Sequence, residues 1–496
     1  MSQSQLEIKR KILALESEFD VDKWIVNGVH VWPYLRIEIY SLLLRNYDLE
    51  PNSAISFEEI KNKNFAQRLF AKLKLILNLL FGFLNLEMFF LRLTEKKIVF
   101  FGSHVHRVKH GQEYFNRFFD SMISSHKLES DIYMVEYQKV YRSNYNSKAI
   151  IPLEKLLFDF KLINKLKSKI TGKKDIYLLN DYDNFLVVLE REITNIQSLK
   201  ITIPDLVKIT NKIQSLVVFY KRFYLKVKPE KVIFPGYFGR DYLYAAVLAG
   251  NELKIKTIDF QHGTQSNVHM VFSSWTKIPS QGFNIMPKQY WSWDEKSKIY
   301  IDLWAQKTSN IVTKVVGQPY LQYWKQKNNN SKIENKVFLY TLNLMPLSEI
   351  FNERIVELMK LSEIIWAIRL HPRNEFSTDD IIFHLDSLGV HKSKYEIHSS
   401  RELPLPEIMS MAIIHITAFS GSLIEAKLMG IPSVIIDTIG KEIYNDYIDN
   451  VLVYYLDKNK ISFESDFLDL YLKLKLKENK NEAKTENMTI INPVLI

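Results

Sequence analysis

The sequence predicts an α/β protein in which a helical N-terminal region precedes two Rossmann-like domains that face one another across a cleft. Three observations predict this architecture. Apolar strands alternate with helices in two series along the chain, a polar run separates the two series, and the first 95 residues contain helical patterns but no convincing strand. At 496 residues, the chain also exceeds what one hydrophobic core usually serves.

The first alternating series begins at Lys97, where the segment KIVFFGS predicts a buried strand of a parallel sheet. The polar segment HVHRVKHGQ follows, and the pattern of EYFNRFFDSM predicts a helix after that loop. Further strands are predicted at DIYMVEY, KVIFPGY and IKTIDF. We therefore predict a first Rossmann-like domain over residues 96–325.

The polar run QKNNNSKIEN, residues 326–335, predicts a linker to the second series. Strands predicted at KVFLYTL, IIWAIRLHP, YEIHS, IIHIT and IPSVIID then alternate with helices. This pattern predicts a second Rossmann-like domain over residues 336–457 and a tail, residues 458–496, that is partly helical and partly disordered. Since doubly wound sheets bind ligands at the carboxyl ends of their strands, the cleft between the domains is the predicted site.

The N-terminal region, residues 1–95, lacks the apolar core and cleavage site of a signal peptide, which predicts a cytoplasmic protein. Its apolar segment Phe65–Leu93 is interrupted by polar side chains and is too short to span a membrane. We predict that this segment docks on an anionic membrane surface, and the alternative is a buried helical hairpin that breaks near Gly82. The basic residues around the segment are Arg68, Lys72, Lys74, Arg92, Lys96 and Lys97.

The composition narrows the classes of partner and cofactor. The formal net charge of +10 fits anionic partners, but the basic residues are dispersed and no RNA or DNA motif is present, so we predict no nucleic-acid partner. The absence of cysteine excludes disulfides, thiolate metal sites and a cysteine nucleophile. Because no Asp-x-Asp-type metal motif commits the chain to a divalent ion, and because His104, His106 and His110 lack carboxylates nearby, no metal or other cofactor is predicted.

A basic loop follows the second strand of the C-terminal series. Arg369, His371, Pro372 and Arg373 come at the carboxyl end of IIWAIRL, where a doubly wound sheet exposes its loops to the cleft. Guanidinium and imidazole groups donate well to phosphate oxygens. The loop is therefore predicted to bind a nucleotide phosphate, and the alternative is a surface loop with incidental basic residues.

A hydroxyl-rich turn follows the strand IIHIT. Ser420, Gly421 and Ser422 precede a predicted helix that ends at Gly430, and amides and hydroxyls at such a position can bind an anion. Glu425 lies one turn into that helix and could reach a ribose. The turn and the basic loop therefore predict one donor-nucleotide site.

These segments resemble a known group of enzymes. RLHP, and SGSLIEAKLMGIPSVI about fifty residues later, resemble the donor half of GT-B glycosyltransferases that build bacterial surface polysaccharides. They are similar to sialyl- and polysialyltransferases, capsule 3-deoxy-manno-octulosonic acid transferases and teichoic acid glycerophosphotransferases. TIDFQHGT and VVGQP resemble further elements of the capsule and teichoic acid enzymes. The resemblance implies a GT-B fold in which His371, Ser420 and Ser422 hold the phosphate of a cytidine nucleotide. The sequence lacks the acidic pair followed by glycine that is the base motif of polysialyltransferases.

The acceptor side is predicted on the N-terminal domain. His262 follows the strand IKTIDF and is the predicted general base, with Asp259 as the rival carboxylate and a core histidine as the structural alternative. Further residues at equivalent strand ends are candidates for acceptor binding: Arg107, His110, Glu113, Arg240 and Asp241.

Together these features predict a glycosyltransferase that transfers a sugar, favoured to be a CMP-activated nonulosonic or 3-deoxy-manno-octulosonic acid, to a capsule, O-antigen or lipopolysaccharide glycan. The expected partners are a nucleotide-sugar donor, a glycan or lipid-linked glycan acceptor, and the inner face of the bacterial inner membrane. The alternatives are a CDP-polyol phosphotransferase, a UDP-sugar-dependent transferase or epimerase of the same fold, and a non-enzymatic protein that binds glycan or nucleic acid.

Overall fold

The computed structural model describes residues 4–45, 65–137, 140, 143–168, 174–327, 337–371, 376–399 and 403–478. Its α-helices are α1 Gln5–Glu18, α2 Trp32–Arg45, α3 Phe65–Arg92, α4 Phe119–His126, α5 Leu153–Ser168, α6 Tyr182–Glu192, α7 Ile203–Val227, α8 Asp241–Glu252, α9 Glu295–Ala305, α10 Pro319–Lys327, α11 Leu347–Ile350, α12 Glu353–Leu361, α13 Thr378–Ser387, α14 Leu405–Ser410, α15 Ser422–Leu428, α16 Thr438–Ile443 and α17 Phe463–Glu478. Its strands are β1 Ile25–Val26, β2 Val29–His30, β3 Ile98–Gly102, β4 Arg107–His110, β5 Glu113–Asn116, β6 Ile132–Glu136, β7 Ile150–Pro152, β8 Tyr177–Leu178, β9 Lys231–Phe234, β10 Lys256–Phe260, β11 Gln289–Ser292, β12 Val312–Val315, β13 Val337–Thr341, β14 Ile365–Arg369, β15 Tyr395–His398, β16 Ala412–Thr417, β17 Ser433–Ile435 and β18 Val453–Tyr455.

The N-terminal domain contains a seven-stranded parallel sheet with the order β12-β11-β10-β9-β3-β6-β7. Strand β3 comes first in the chain, β6 and β7 extend the sheet on one side, and β9 to β12 extend it on the other. The order therefore reverses between β3 and β9. Such a reversal leaves a crevice outside the carboxyl ends of the two strands, which is where ligands bind in open α/β sheets.

The C-terminal domain repeats this design with a six-stranded parallel sheet of order β15-β14-β13-β16-β17-β18. Here the order reverses between β13 and β16. Helix α17 belongs to this domain. Its Phe467 is fully buried and packs edge-on against Phe338 of β13, with ring centroids 5.3 Å apart. Two doubly wound parallel sheets confirm the predicted fold class.

The N-terminal region packs against the first Rossmann-like domain and shares its hydrophobic core. Trp24 and Trp32 are fully buried and belong to the same hydrophobic core as Phe101 of the central strand β3. A fully buried ion pair joins Arg36 Nε to Glu16 at 2.7 Å, and the same guanidinium donates to the carbonyl oxygens of residues 273 and 274. This region therefore packs as part of the domain core.

Two sequence predictions of local structure are wrong. The first 95 residues do contain strands, because Asn27 and Gly28 both have positive φ and turn β1 into β2 as a two-residue hairpin. The helix predicted through EYFNRFFDSM begins only at Phe119. The first part of that segment is instead β5, which pairs with β4 across a turn at Gly111, where φ is +61°.

Helix α3 is continuous over 28 residues and passes through Gly82, so the alternative of a hairpin broken at that glycine is wrong. Leu86 and Phe90 are buried on its inner side. Within the described part of the chain, no helix combines the length and the apolar character needed to cross a membrane.

Candidate active site

The loops that follow strands of the two sheets meet across the interdomain cleft. Thr264, from the QHGT segment, shares a 2.6 Å hydrogen bond with the hydroxyl of Tyr444 in the C-terminal domain. A Cβ at Gly421 would lie 3.1 Å from the Thr264 hydroxyl oxygen, so glycine allows the two loops to approach. The structure thus brings the QHGT and SGS segments together, as their positions after strands of facing domains predict.

The QHGT loop is held by Gln261, which is fully buried. Its side-chain nitrogen donates to the carbonyl oxygen of Gly263 and to the hydroxyl of Ser297, and its side-chain oxygen accepts from the backbone N–H of Trp293 at 2.6 Å. The Gln261 amide therefore ties the QHGT loop to the segment after β11 and to helix α9. These hydrogen bonds fix the positions of His262 and Thr264.

A cavity of about 300 Å³ lies at the switch point of the N-terminal sheet. Its walls come from the carboxyl ends of β3 and β9, and His262 reaches it from the end of β10. Gly236 is required beside that imidazole, because its φ is +86° and a Cβ there would lie 2.7 Å from the His262 ring. The polar and charged side chains among the lining residues include Ser103, His106, Arg240 and His262.

His262 is held as a neutral imidazole at physiological pH. Burial is the main cause that lowers its pKa to about 4, and the positive charge of Arg117 adds to that effect. Its Nδ1 is buried and has no hydrogen-bond partner among the described residues. The ring centroid of His106 lies 6.2 Å away, and burial also lowers the pKa of His106 well below its usual value. The cavity therefore contains two neutral imidazoles that can accept a proton.

Asp259, the rival base, lies away from this cavity. Its side chain is fully buried and its carboxylate oxygens make no hydrogen bond of normal geometry with described residues. Burial raises its pKa well above the usual value, although the nearby backbone N–H groups of Gly236 and Tyr237 oppose the shift. Asp259 is not among the residues that line the cavity, so it is less well placed than His262 to act on a ligand there, and its catalytic role stays a prediction.

Arg107 makes structural contacts. Its guanidinium is buried and bonds to Glu136 at 2.7 Å, to Asp120 at 3.2 Å and to the carbonyl oxygen of Tyr114 at 2.8 Å. These contacts hold the β4–β5 hairpin on the sheet, and the acceptor-binding role of Arg107 stays a prediction.

The remaining acceptor candidates lie in two places, the β4–β5 hairpin and the start of helix α8. His110 packs at the hairpin end against the ring of Tyr323, with centroids 5.9 Å apart, and Glu113 is exposed across the turn from it. Asp241 pairs with Lys212 at 2.6 Å beside the cavity. Of the predicted acceptor residues, Arg240 is the one that lines the cavity.

On the donor side, Arg369 ends β14 and is buried, with its Nη1 donating to the carbonyl oxygen of Leu403 at 2.6 Å. Burial, followed by the positive charge of Arg117, lowers the pKa of Arg369 to about 10. His371 is half-buried at the start of the following loop. Pro372 and Arg373 lie outside the described residues, so their predicted roles stay predictions.

The two serines of the SGS turn have different environments. Ser422 is buried, and its hydroxyl bonds to Thr341 at 2.9 Å and to His415 Nε2 at 3.1 Å inside the domain. These contacts point the Ser422 hydroxyl into the domain, and its role as a phosphate ligand stays a prediction. Ser420 is half-buried, and its hydroxyl oxygen accepts from the backbone N–H of Ser422 at 3.3 Å. Ser420 therefore remains a ligand candidate.

Glu425 is an interdomain contact. Its carboxylate is buried and accepts a 2.8 Å hydrogen bond from Gln318 of the VVGQP segment. Burial raises its pKa, and the charges of Arg117 and Arg369 oppose that shift. This carboxylate joins the two domains, and the ribose contact predicted for Glu425 stays a prediction.

Sequence reasoning missed three residues of the cleft. Arg117 is half-buried, and its Nε is buried with no hydrogen-bond partner in the described part of the chain. Its charge acts on residues of both domains, His262 and Arg369 among them. Asn343 follows β13 at the C-terminal switch point and accepts from the backbone N–H of Phe419 at 3.1 Å. His106 lines the cavity, but the sequence suggested it only as a possible metal ligand. The position of Asn343 after the first strand of the second series could have identified it. Arg117 lies in the segment EYFNRFFDSM, where the wrongly predicted helix gave no reason to place it at the cleft.

No protein-family model and no curated protein matches this sequence. Among solved structures, the chain is 16% identical to UDP-GlcNAc 2-epimerase from Neisseria meningitidis bound to UDP-GlcNAc, with a TM-score of 0.45 over 80% of this chain and 96% of that one. It is 11% identical to a glycotransferase of kitacinnamycin, with a TM-score of 0.40 over 79% and 97% of the two chains. It is also 11% identical to MurG from Acinetobacter baumannii, with a TM-score of 0.36 over 78% and 95%. Likenesses of this size do not identify a reaction or a substrate for this chain.

Proposed function

We propose that this protein is a nucleotide-sugar-dependent glycosyltransferase that binds its donor on the C-terminal domain and its acceptor on the N-terminal domain. The observation that carries the proposal is the contact between the two domains at Thr264, in the loop after β10 of the N-terminal sheet, and Gly421, after β16 at the C-terminal switch point. Two ligands bound at facing switch points would meet with an acceptor hydroxyl beside the donor sugar, which is the arrangement that group transfer needs.

The donor phosphate is the proposed ligand of Arg117 and Arg369. These guanidiniums come from different domains, the charge of Arg117 acts on Arg369, and both charges act on the buried Glu425. A phosphate at this place would accept charge-assisted hydrogen bonds from both guanidiniums. The same charges would stabilise the phosphate as it leaves the sugar.

His262 is the proposed general base. Its neutral imidazole lines the acceptor cavity and has an unsatisfied buried Nδ1, so it can take the proton of an attacking hydroxyl. A pKa near 4 makes it a weak base in the empty site. Because Arg117 is among the causes of that low pKa, a phosphate bound at Arg117 would raise the pKa of His262 and strengthen the base when the donor is present.

We further propose that the donor is a CMP-activated acid sugar and that the acceptor is a capsule, O-antigen or lipopolysaccharide glycan. Support comes from the RLHP loop at Arg369 and His371 followed by the SGS turn, the order that resembles transferases of cytidine-activated sugars. A CDP-polyol or UDP-sugar donor is the alternative.

A thermal-shift screen of CMP, CDP, UDP and GDP tests this proposal, because a ligand that binds the folded state raises the melting temperature. CMP is expected to give the largest shift, and cytidine is expected to give little. A larger shift with UDP or GDP would overturn the cytidine assignment. No shift with any nucleotide, at concentrations up to several millimolar, would overturn the glycosyltransferase assignment.

We also propose that the protein binds peripherally to the inner face of the bacterial inner membrane. Helix α3 exposes an apolar stripe at a helical spacing, Leu80, Leu84, Met88 and Leu91, of which Leu91 is 72% exposed. On the adjoining helix α7, the exposed side chains of residues 218 and 225 flank Arg222, which bonds to Glu87 of α3. A surface of this kind would bring a lipid-linked acceptor to the cleft.

A further inference from the structure

We propose that the cavity at the N-terminal switch point selects an acidic acceptor, a glycan whose terminal sugar carries a carboxylate that pairs with Arg240. This inference rests on the proposed function and adds the chemical class of the acceptor. Three features of the cavity support it: its volume, the positive charge of Arg240 on its lining and the aromatic side chains beside that arginine.

The cavity fits a small polar ligand in volume and position. Its volume of about 300 Å³ is at the lower end of the range for small-molecule sites. His106 and His262 line it from the segments that follow β3 and β10, while Arg240 lines it from the residue before helix α8. A sugar that fills the cavity would therefore have one side near the proposed base and another near the guanidinium.

The part of the cavity lining around Arg240 is positively charged. Arg240 is exposed, and no ion pair of its side chain is found among the described residues. The adjacent Asp241 is already paired with Lys212 at 2.6 Å and approached by Lys161 at 3.8 Å. Three cations around one carboxylate leave an excess of positive charge, and Arg240 is the cation that faces the cavity. A carboxylate is a good partner for it because a guanidinium binds carboxylates through two parallel hydrogen bonds.

The wall beside Arg240 is aromatic. Tyr137 and Tyr242 are stacked with centroids 4.6 Å apart and an interplanar angle of 4°, and both line the cavity together with Phe238. Arg240 is near enough to Tyr242 that its charge opposes the rise in the phenol pKa caused by burial. Aromatic side chains offer flat apolar surface to the C–H face of a sugar ring, while the tyrosine hydroxyls can bond to its hydroxyls. An apolar wall with one adjacent cation matches a sugar acid better than a neutral sugar.

The test uses an array of bacterial oligosaccharides in which each uronic, nonulosonic or 3-deoxy-manno-octulosonic acid glycan is printed beside its carboxyl-reduced counterpart. Neutral and phosphorylated glycans are included, and the full-length protein is applied with CMP present. The wild type is expected to bind one or more acidic glycans at least tenfold more tightly than the reduced counterparts. Arg240→Gln is expected to bring that ratio below about twofold, while Arg240→Lys retains part of it. Arg191→Gln, a change at an exposed arginine on α6, is the matched control and should keep the full ratio.

Three results would overturn the inference: no acidic glycan bound by the wild type, equal binding of the carboxyl-reduced glycans, or an Arg240→Gln variant that keeps the preference. Selective binding of phosphorylated glycans would overturn the carboxylate assignment. CMP titration of the same variants separates this inference from the proposed function. Arg240→Gln should bind CMP as the wild type does, whereas a wild type that fails to bind any nucleotide contradicts the donor site and leaves the measured acid preference standing.

Discussion

At the scale of single residues, His262 is the side chain whose environment most directly suggests chemistry. It combines a lowered pKa, a buried Nδ1 without a partner and a place on the cavity wall. We expect His262→Ala to lower turnover by about 10² to 10⁴ while changing nucleotide affinity little, because a base acts on the acceptor hydroxyl. Steady-state kinetics and CMP titration measure the two effects separately.

The matched control for that substitution is His391→Ala, which changes an exposed histidine of the C-terminal domain. Two outcomes would contradict the assignment to His262. One is loss of nucleotide binding in a folded His262→Ala variant. The other is a larger loss of turnover in a folded Asp259→Asn variant, since Asp259 lies in the core.

Ser422 distinguishes the structure from the sequence motif. As a phosphate ligand, it would lower CMP affinity when changed to alanine, but its hydroxyl bonds inward to Thr341 and His415. Ser422→Ala is therefore expected to lower the free energy of unfolding by about 1 to 3 kcal/mol, because buried polar partners lose a hydrogen bond. CMP affinity should remain within about twofold. Denaturant unfolding and calorimetry check this, and a large loss of CMP binding at unchanged stability would restore the motif-based role.

At the scale of elements, helix α3 carries the membrane prediction. The charges near its end are partly used within the protein, since Lys97 pairs with Asp131 at 2.9 Å. The apolar stripe should therefore contribute most of the affinity. We expect a variant with Leu84, Met88 and Leu91 changed to glutamine to lose most of its binding to anionic liposomes in a flotation assay.

The control for α3 changes Phe383 and Ile461 to glutamine, two side chains that are 78% and 85% exposed on the C-terminal domain. That control should float with liposomes as the wild type does. Equal flotation of the α3 variant and the wild type would contradict membrane docking through this helix.

Elements were predictable where burial sets the pattern. Strands such as β3 and β13 are covered on both faces, so their near-continuous apolar runs mark them in the sequence. The β4–β5 hairpin was missed because its identity depends on the turn at Gly111 and on the buried Arg107 ion pairs, which are contacts with distant residues. Local periodicity does not contain that information.

At the scale of the whole molecule, the sequence predicted which loops lie at the cleft but not which way their side chains point. His262 and Gly421 follow strands of facing sheets, and the structure places their loops beside each other. A serine after a strand has the same sequence signature whether its hydroxyl faces the cleft or the core, as Ser420 and Ser422 illustrate. Arg117 gains its importance only from the docking of one domain on the other.

In the proposed donor site, one nucleotide phosphate is bound jointly by Arg117 of the N-terminal domain and Arg369 of the C-terminal domain. Calorimetric titration of CMP and cytidine into the wild type, Arg117→Gln, Arg369→Gln and the double variant measures this joint binding, with Arg191→Gln as control and melting curves to verify folding. CMP is expected to bind the wild type far more tightly than cytidine does. Each single change should remove about 1.5 to 3 kcal/mol of that advantage, and the double change should remove less than the sum. Equal binding of cytidine and CMP to the wild type, or an undiminished CMP advantage in folded Arg117→Gln, would contradict it.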